Sequence, residues 1–186
     1  FARIIETCES HWNKPHYPRR TLGTLTVVLL ILASAGTGYA VEYLVRQWLG
    51  AWSWVAIALL SFPGLAQRSL FDHVRPVAMA LRNHDLPHAR EAVGMIVGRD
   101  TSELDEAGVA RAAIESLAES FCDGVAAPLF WLLVLGLPGI WAYKAINTAD
   151  SLIGHKEDRW RQFGWAAART DDLVNLAPAR IGGVVI

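Results

Sequence analysis

The sequence predicts an all-α, polytopic integral membrane protein with a polar helical lobe and a re-entrant helical hairpin. Three observations lead there. Hydrophobic residues make up 53% and charged residues 19% of the chain, against about 45–50% and about 25% in an ordinary soluble domain. The apolar excess is concentrated in long charge-free runs rather than spread evenly. One of those runs is interrupted by the breaker GLPG at Gly136 to Gly139, which leaves arms too short to span a bilayer singly.

At 186 residues the chain can bury one substantial core, so 1–186 is read as a single membrane domain. The net charge of −1 argues against a nucleic-acid partner, which calls for a clear basic excess. The 2 cysteines, Cys8 and Cys122, form no metal-ligand or redox spacing. The start lacks an initiator methionine and the end, ARIGGVVI, enters another apolar segment; the chain reads as an internal part of a longer protein.

The first twenty residues predict a short amphipathic helix up to about Trp12, then a proline-punctuated loop. Residues 22–65 predict a transmembrane hairpin. Leu22 to Val41 carry no charge, about the length that crosses roughly 30 Å of hydrocarbon. Glu42 and Arg46 mark the expected turn, and Trp48 to about Leu65 form the second limb, rich in tryptophan at its start as an interface would be. Arg19 and Arg20 before the hairpin and Arg68 and Arg75 after it place both flanks on the cytoplasmic side. Two buried helices of a soluble protein are the competing reading.

Residues 66–124 predict a polar helical region. Two segments show apolar residues at three-to-four spacing, with Pro76 and Pro87 near the expected helix starts. DTSELDEAGVARAAIESLAES predicts a further helix, capped by Thr101 or Ser102 and ended at Asp123-Gly124. Residues 125–154 predict apolar helices that run down, turn at GLPG and return, and residues 155–186 the polar remainder of the site.

Three polar constellations stand out. Arg111, Glu115, Glu119 and Asp123 fall at four-residue steps, one stripe along a helix face. A solvated face is the ordinary meaning of such a stripe. This one ends where the chain turns lipid-like, and converging acids there need cations, which points to Mg²⁺ or a substrate amine. Lys144, Asn147, Asp150 or Ser151, and Gly154 follow a three-to-four rhythm on one face of the returning arm, where ionisable groups need partners; snorkelling of Lys144 to headgroups is the alternative. Asp171 and Asp172 open an expected short helix, close in sequence to Arg159, Arg161, Arg169 and Arg180, whose guanidinium groups suit phosphates. No phosphate-binding glycine loop and no zinc motif occurs. The residues alone therefore give an anionic, metal-assisted substrate at a membrane surface.

Two stretches, VGRDTSELDEAGVARAAIESLAESFCDGVAAPLFW and AYKAINTADSLIGHKEDRWRQFGWAAARTDDLVNLAPAR, resemble the CobD/CbiB family of cobalamin biosynthesis, the adenosylcobinamide-phosphate synthases. The resemblance covers Val97 to Trp131 and Ala142 to Arg180. It implies a multi-pass enzyme of the inner (cytoplasmic) membrane with its site facing the cytoplasm. Using ATP and Mg²⁺, it would join a propionate carboxyl of adenosylcobyric acid, a corrinoid, to aminopropanol or aminopropanol phosphate. On that footing Glu115, Lys144, Asn147 and Asp150 are the expected catalytic group, with Glu115 taking the amine proton. Asp100, Lys156, Arg159, Asn175 and Arg180 are expected on substrate and phosphates, and Glu119, Asp123, Asp171 and Asp172 on metal. Expected partners are the lipid bilayer and the corrinoid, and further a second copy of the chain or other enzymes of the pathway. Two positions depart from the family pattern: Ser120 stands where asparagine is expected, and His155 where tyrosine is common. They touch substrate choice rather than the reaction. The principal competing function is a non-enzymatic corrinoid-binding carrier or scaffold; a sensor on the same framework would have no use for so many metal-type acids.

Overall fold

The computed structural model describes residues 1–65 and 67–185; the side chains of residues 67–71, 73, 184 and 185, the expected cytoplasmic-flank residue Arg68 among them, lie outside what is described, as do Ala66 and Ile186. Among the described residues every regular element is helical: α1 (Ala2–Trp12), α2 (Arg19–Leu49), α3 (Ser53–Ser61), α4 (Gln67–Arg82), α5 (Leu86–Gly94), α6 (Glu106–Phe121), α7 (Ala127–Ile153) and α8 (Trp165–Val185). Two stretches, Arg19–Gly64 and Glu106–Ile153, contain helix long and apolar enough to cross a membrane by length and composition.

The expected turn at Glu42 and Arg46 is not there. Helix α2 continues through both, because they lie one turn apart and pair across the helix face, Arg46 Nη2 to Glu42 Oε1 at 2.6 Å. The chain turns later, at Gly50. The second limb is correspondingly short: α3 has 9 residues, about 14 Å at 1.5 Å per residue, against roughly 30 Å of hydrocarbon. It ends in a single 3₁₀ turn, Phe62–Gly64, and Gly64 lies against Ile140 and Lys144 of α7.

Other boundaries move for identifiable reasons. Pro76 sits inside α4 rather than at its start, whereas Pro87 occupies the first turn of α5, where a missing N–H costs nothing. The cap of α6 is Asp105, whose Oδ1 accepts from Gly108 N at 2.7 Å. Thr101 is spent elsewhere, donating to Arg90 O at 2.9 Å. Helix α6 does not stop at Asp123-Gly124; a π-helical turn, Cys122–Ala126, carries it into α7. Asp171 and Asp172 fall inside the 21-residue α8, not at a helix start, so the helix dipole does not act on them.

Helix α7 is broken at Gly136, whose φ of 67° and ψ of −150° lie outside helical space. Only glycine takes that backbone cheaply, and the chain doubles back there. Gly139 faces Trp131 on the preceding arm, and Tyr143 on the returning arm reaches Asp123 O. The returning arm runs along α2, where Gly38 lets the backbones touch: a Cβ there would lie 2.9 Å from Leu137 O.

Among the described residues two apolar cores result. Ile5, Val27, Leu30, Ala145, Ala149, Ile153, Phe163, Ala166 and Ala167 join α1, α2, α7 and α8. Val77, Ala89, Val93, Val109, Ala112 and Ala113 hold α4, α5 and α6 together as a lobe that packs chiefly on itself. The outer surface of the hairpin is apolar, with Trp48, Trp52, Trp54 and Leu59 all at least two-thirds exposed.

Candidate active site

The doubling back of α7 assembles a half-buried polar cluster from three elements. Asp123 comes from the π-helical turn, a backbone irregularity that shifts side-chain phase and is frequent at functional sites. Lys144 and Asn147 come from the returning arm, one turn apart, and Asp171 and Asn175 from α8, again one turn apart.

A chain of hydrogen bonds links them. Tyr143 Oη, on a side chain only 1% exposed, donates to Asn175 Oδ1 at 3.0 Å and stands 3.4 Å from Asp123 O. Asn175 Nδ2 donates to Asp171 Oδ2 at 2.9 Å. Asn147 Nδ2 lies 3.5 Å from Asp123 Oδ2, a long contact. The Lys144 ammonium is within electrostatic reach of both Asp123 and Asp171. Trp131 Nε1 donates to Val174 O at 3.1 Å and so ties the first arm of α7 to α8.

Asp171 is the most perturbed acid of the cluster outside the apolar segments. Burial, then the negative charges of Asp150 and Asp123, push its carboxyl up to about 6. Its Oδ1 is buried and accepts no well-formed hydrogen bond, although the Asn147 amide acts on the same carboxyl to favour its ionised form. An orphaned carboxylate oxygen among acids is a place for a cation.

Among the described residues no three His, Cys, Asp or Glu side chains stand close enough to hold a metal by themselves. Mg²⁺ does not require that, since it keeps several waters and commonly takes one or two carboxylates plus substrate phosphates. Asp171 and Asp123 fit that demand. Asp172, by contrast, points to the outer face of α8 beside Arg169, 3.4 Å away, and is 69% exposed. Glu119 is exposed on α6, one turn before Asp123.

The remaining sequence-predicted residues divide clearly. Asp150 lies a turn beyond Asn147, near Asp171, Asp172 and His155. Glu115 is exposed on α6 and paired with Arg99 at 3.4 Å. Asp100 closes its own turn by accepting Ser102 N at 3.0 Å, which holds its carboxyl below the usual range. Arg159 is spent on Glu9, Nε to Oε1 at 3.0 Å and Nη2 to Oε2 at 3.0 Å. Arg180 donates to Leu176 O at 2.6 Å on its own helix, and Lys156 is exposed in the loop after α7. Tyr143 was missed by sequence reasoning, because a tyrosine at the end of an apolar run looks like an interfacial anchor.

Fold and site together define an all-helical protein with apolar helices of membrane-crossing length and a half-buried cluster of acids, amides and one amine. The sequence profile described as CobD/Cbib protein matches residues 1–186. A cobalamin biosynthesis protein CobD from Rhodobacter capsulatus is 55% identical over 185 residues, covering 98% of this chain and 58% of the relative. Proteins of the same name from Sinorhizobium fredii and Brucella anthropi are 53% and 47% identical, over 88% and 100% of this chain and 50% and 57% of their own lengths. No solved structure matches. The chain belongs to the CobD/CbiB family, and spans little more than half the length of the curated relatives it matches.

Proposed function

We propose that this chain carries the reaction centre of an inner-membrane enzyme of cobalamin biosynthesis that joins a corrinoid carboxyl to aminopropanol or its phosphate at the expense of ATP. The observation that carries the reading is the buried, unpaired Asp171 Oδ1 on a carboxylate set among Asp123, Asn147 and Lys144.

A carboxylate is a poor electrophile and must first become an acyl phosphate or a similar mixed anhydride. Its oxygen bonds to a phosphorus of ATP as a P–O bond of ATP breaks, and the remaining phosphate-bearing fragment departs with the electron pair. Asp171 and Asp123 would hold Mg²⁺, which when bound offsets phosphate charge. Lys144 supplies a fixed positive charge beside the same acids, suited to phosphate oxygens as negative charge shifts onto the leaving group. Asn147 orients the Asp123 carboxylate. Tyr143 and Asn175 hold the Asp171 carboxylate with one oxygen bonded and the other free. The amine then attacks the activated carbonyl carbon. The new C–N bond forms as the C–O bond to phosphate breaks, phosphate leaves with the electron pair, and the ammonium proton passes to Glu115 or to water. The two arms of α7 form a re-entrant apolar floor that keeps water from the activated acyl group, and the apolar exterior of α2 and α3 faces lipid, with the polar lobe on the cytoplasmic side.

Amide formation by the full-length protein, followed with ATP, Mg²⁺, adenosylcobyric acid and each amine, tests the reading. The expected product requires ATP and disappears without it. Corrinoid binding with no ATP consumption would instead make the protein a carrier or scaffold.

A further inference from the structure

Pro178 lies inside α8 with its side chain fully buried. A proline has no N–H, so residue 178 cannot close the helical bond to the carbonyl four residues earlier, that of Val174. The pyrrolidine ring also crowds that carbonyl and tips it off the helix axis. The donor that α8 lacks comes from another helix: Trp131 Nε1, on the first arm of α7, donates to Val174 O at 3.1 Å. An indole N–H can only donate, and here it meets a carbonyl in want of a donor. Phe130 stands edge-on to the Trp131 ring, the centroids 5.2 Å apart and the planes at 88°, a favourable aromatic geometry that steadies the indole.

The place of this bond in the chain gives it consequence. Val174 directly precedes Asn175 and follows Asp171 by three residues, within the turn of α8 that enters the carboxylate cluster. Trp131 lies on the arm that leaves the π-helical turn holding Asp123. The indole therefore joins the backbone that carries one acid to the backbone that carries the other. A helix missing a bond at proline bends there unless something outside it holds the gap. Movement at that point would carry Asp171 and Asn175 relative to Asp123.

We propose that Trp131 is a positioning residue for the carboxylate pair: its indole N–H, filling the gap that Pro178 leaves at Val174, holds Asp171 where a cation shared with Asp123 meets both. The inference rests on the metal role given to these two acids in the amide-forming reading.

The test uses the full-length protein, with Mg²⁺ alone as the probe. Trp131→3-benzothienylalanine keeps the bicyclic ring and sets sulfur where the N–H stood, so the packing stays and only the donor goes. In calorimetric titration without ATP or corrinoid, that variant is expected to bind Mg²⁺ about tenfold more weakly than the parent. In Pro178→Ala the residue regains its N–H and Val174 its helical donor. On that background the same replacement at Trp131 is expected to change Mg²⁺ affinity by no more than about twofold. A loss that is equal on both backgrounds, or absent from both, overturns the proposal, because simple packing would not distinguish them. A parent protein that binds no Mg²⁺ overturns it as well. In amide formation kcat is expected to fall about tenfold while KM for the amine stays within about twofold, and an unchanged kcat counts against the proposal in the same way. Should the parent protein form no amide, the functional reading fails while the titration still decides the role of Trp131.

Discussion

Glu42 on α2 accepts a hydrogen bond from the backbone N–H of Leu137, Oε2 to N at 2.8 Å, at the point where α7 reverses. The bond bridges residues ninety-five apart in sequence. It satisfies the amide that the break at Gly136 leaves without a helical partner, and Arg46 on the other carboxylate oxygen neutralises its charge. The reversal that assembles the candidate site is therefore held from outside its own helix, by an acid inside an otherwise apolar span.

Removing that acceptor leaves the N–H of the fully buried Leu137 unpaired. Glu42→Ala is expected to cost about 1–3 kcal/mol, read as a lower melting temperature of the detergent-purified protein, and Glu42→Gln, which keeps an acceptor oxygen, about half as much. Gly136→Ala is expected to be at least as damaging, since φ of 67° disfavours it and a Cβ would run into the Glu42 carboxylate. Unchanged melting of all three variants would show that the bend is held by something else.

Tyr143 and Lys144 are neighbours with separable roles. Tyr143→Phe keeps the buried ring and removes only the donor to Asn175, so melting should change little while kcat for amide formation falls about tenfold through a loosened Asp171. Lys144→Met removes the amine facing Asp123 and Asp171 and should lower kcat on the order of 100-fold with little change in amine KM. Wild-type kcat in Lys144→Met would exclude the ammonium from the chemistry.

The helical class, the first helix, the break at GLPG and the face shared by Lys144, Asn147 and Asp150 were legible because each is a local property: periodicity, a missing charge, a backbone that only glycine adopts. What failed was anything set by tertiary partners. Glu42 and Arg46 looked like a turn because charges inside an apolar run usually end it, and nothing local says that Leu137 awaits them. Asp171 and Asp172 looked like a pair because they are adjacent, yet side chains one residue apart on a helix diverge by about 100°, and only Asp171 turns inward. Arg159 read as a phosphate contact because its partner, Glu9, lies one hundred and fifty residues away.

That pair makes a distinct expectation. Arg159 and Glu9 meet through two hydrogen bonds, and Asn13 Nδ2 reaches both Glu9 Oε1 at 3.0 Å and Arg159 O at 2.9 Å, clamping α1 onto the loop after α7. Arg159→Ala and Glu9→Gln should each lower the melting temperature, with the double variant no worse than either single one, and KM for ATP should stay within about twofold. The Arg159 guanidinium holds the Glu9 carboxyl below its ordinary value, so the clamp's contribution is present at neutral pH and lost on acidification through that lowered value. Additive losses, or a large rise in ATP KM, would return Arg159 to the phosphate-binding set.

Asp171 carries the opposite sign. Its carboxyl is raised to about 6 from an ordinary 3.8, first by burial and then by Asp150 and Asp123, so between those values the folded protein holds a proton that the unfolded chain has released. Without metal, stability should fall as pH rises through that window and level off above it. Mg²⁺ needs the ionised form, so its binding, followed by calorimetry, should strengthen by about tenfold from pH 5 to pH 7 with release of a proton at the lower end. Asp171→Asn should flatten the stability profile, weaken Mg²⁺ on the order of 100-fold and abolish its pH dependence over that range. Because Asp172 faces solvent beside Arg169, Asp172→Asn should leave Mg²⁺ affinity within about threefold. A larger loss from Asp172→Asn than from Asp171→Asn would mean that α8 presents its other face to the metal, and the cluster described here would not be the site.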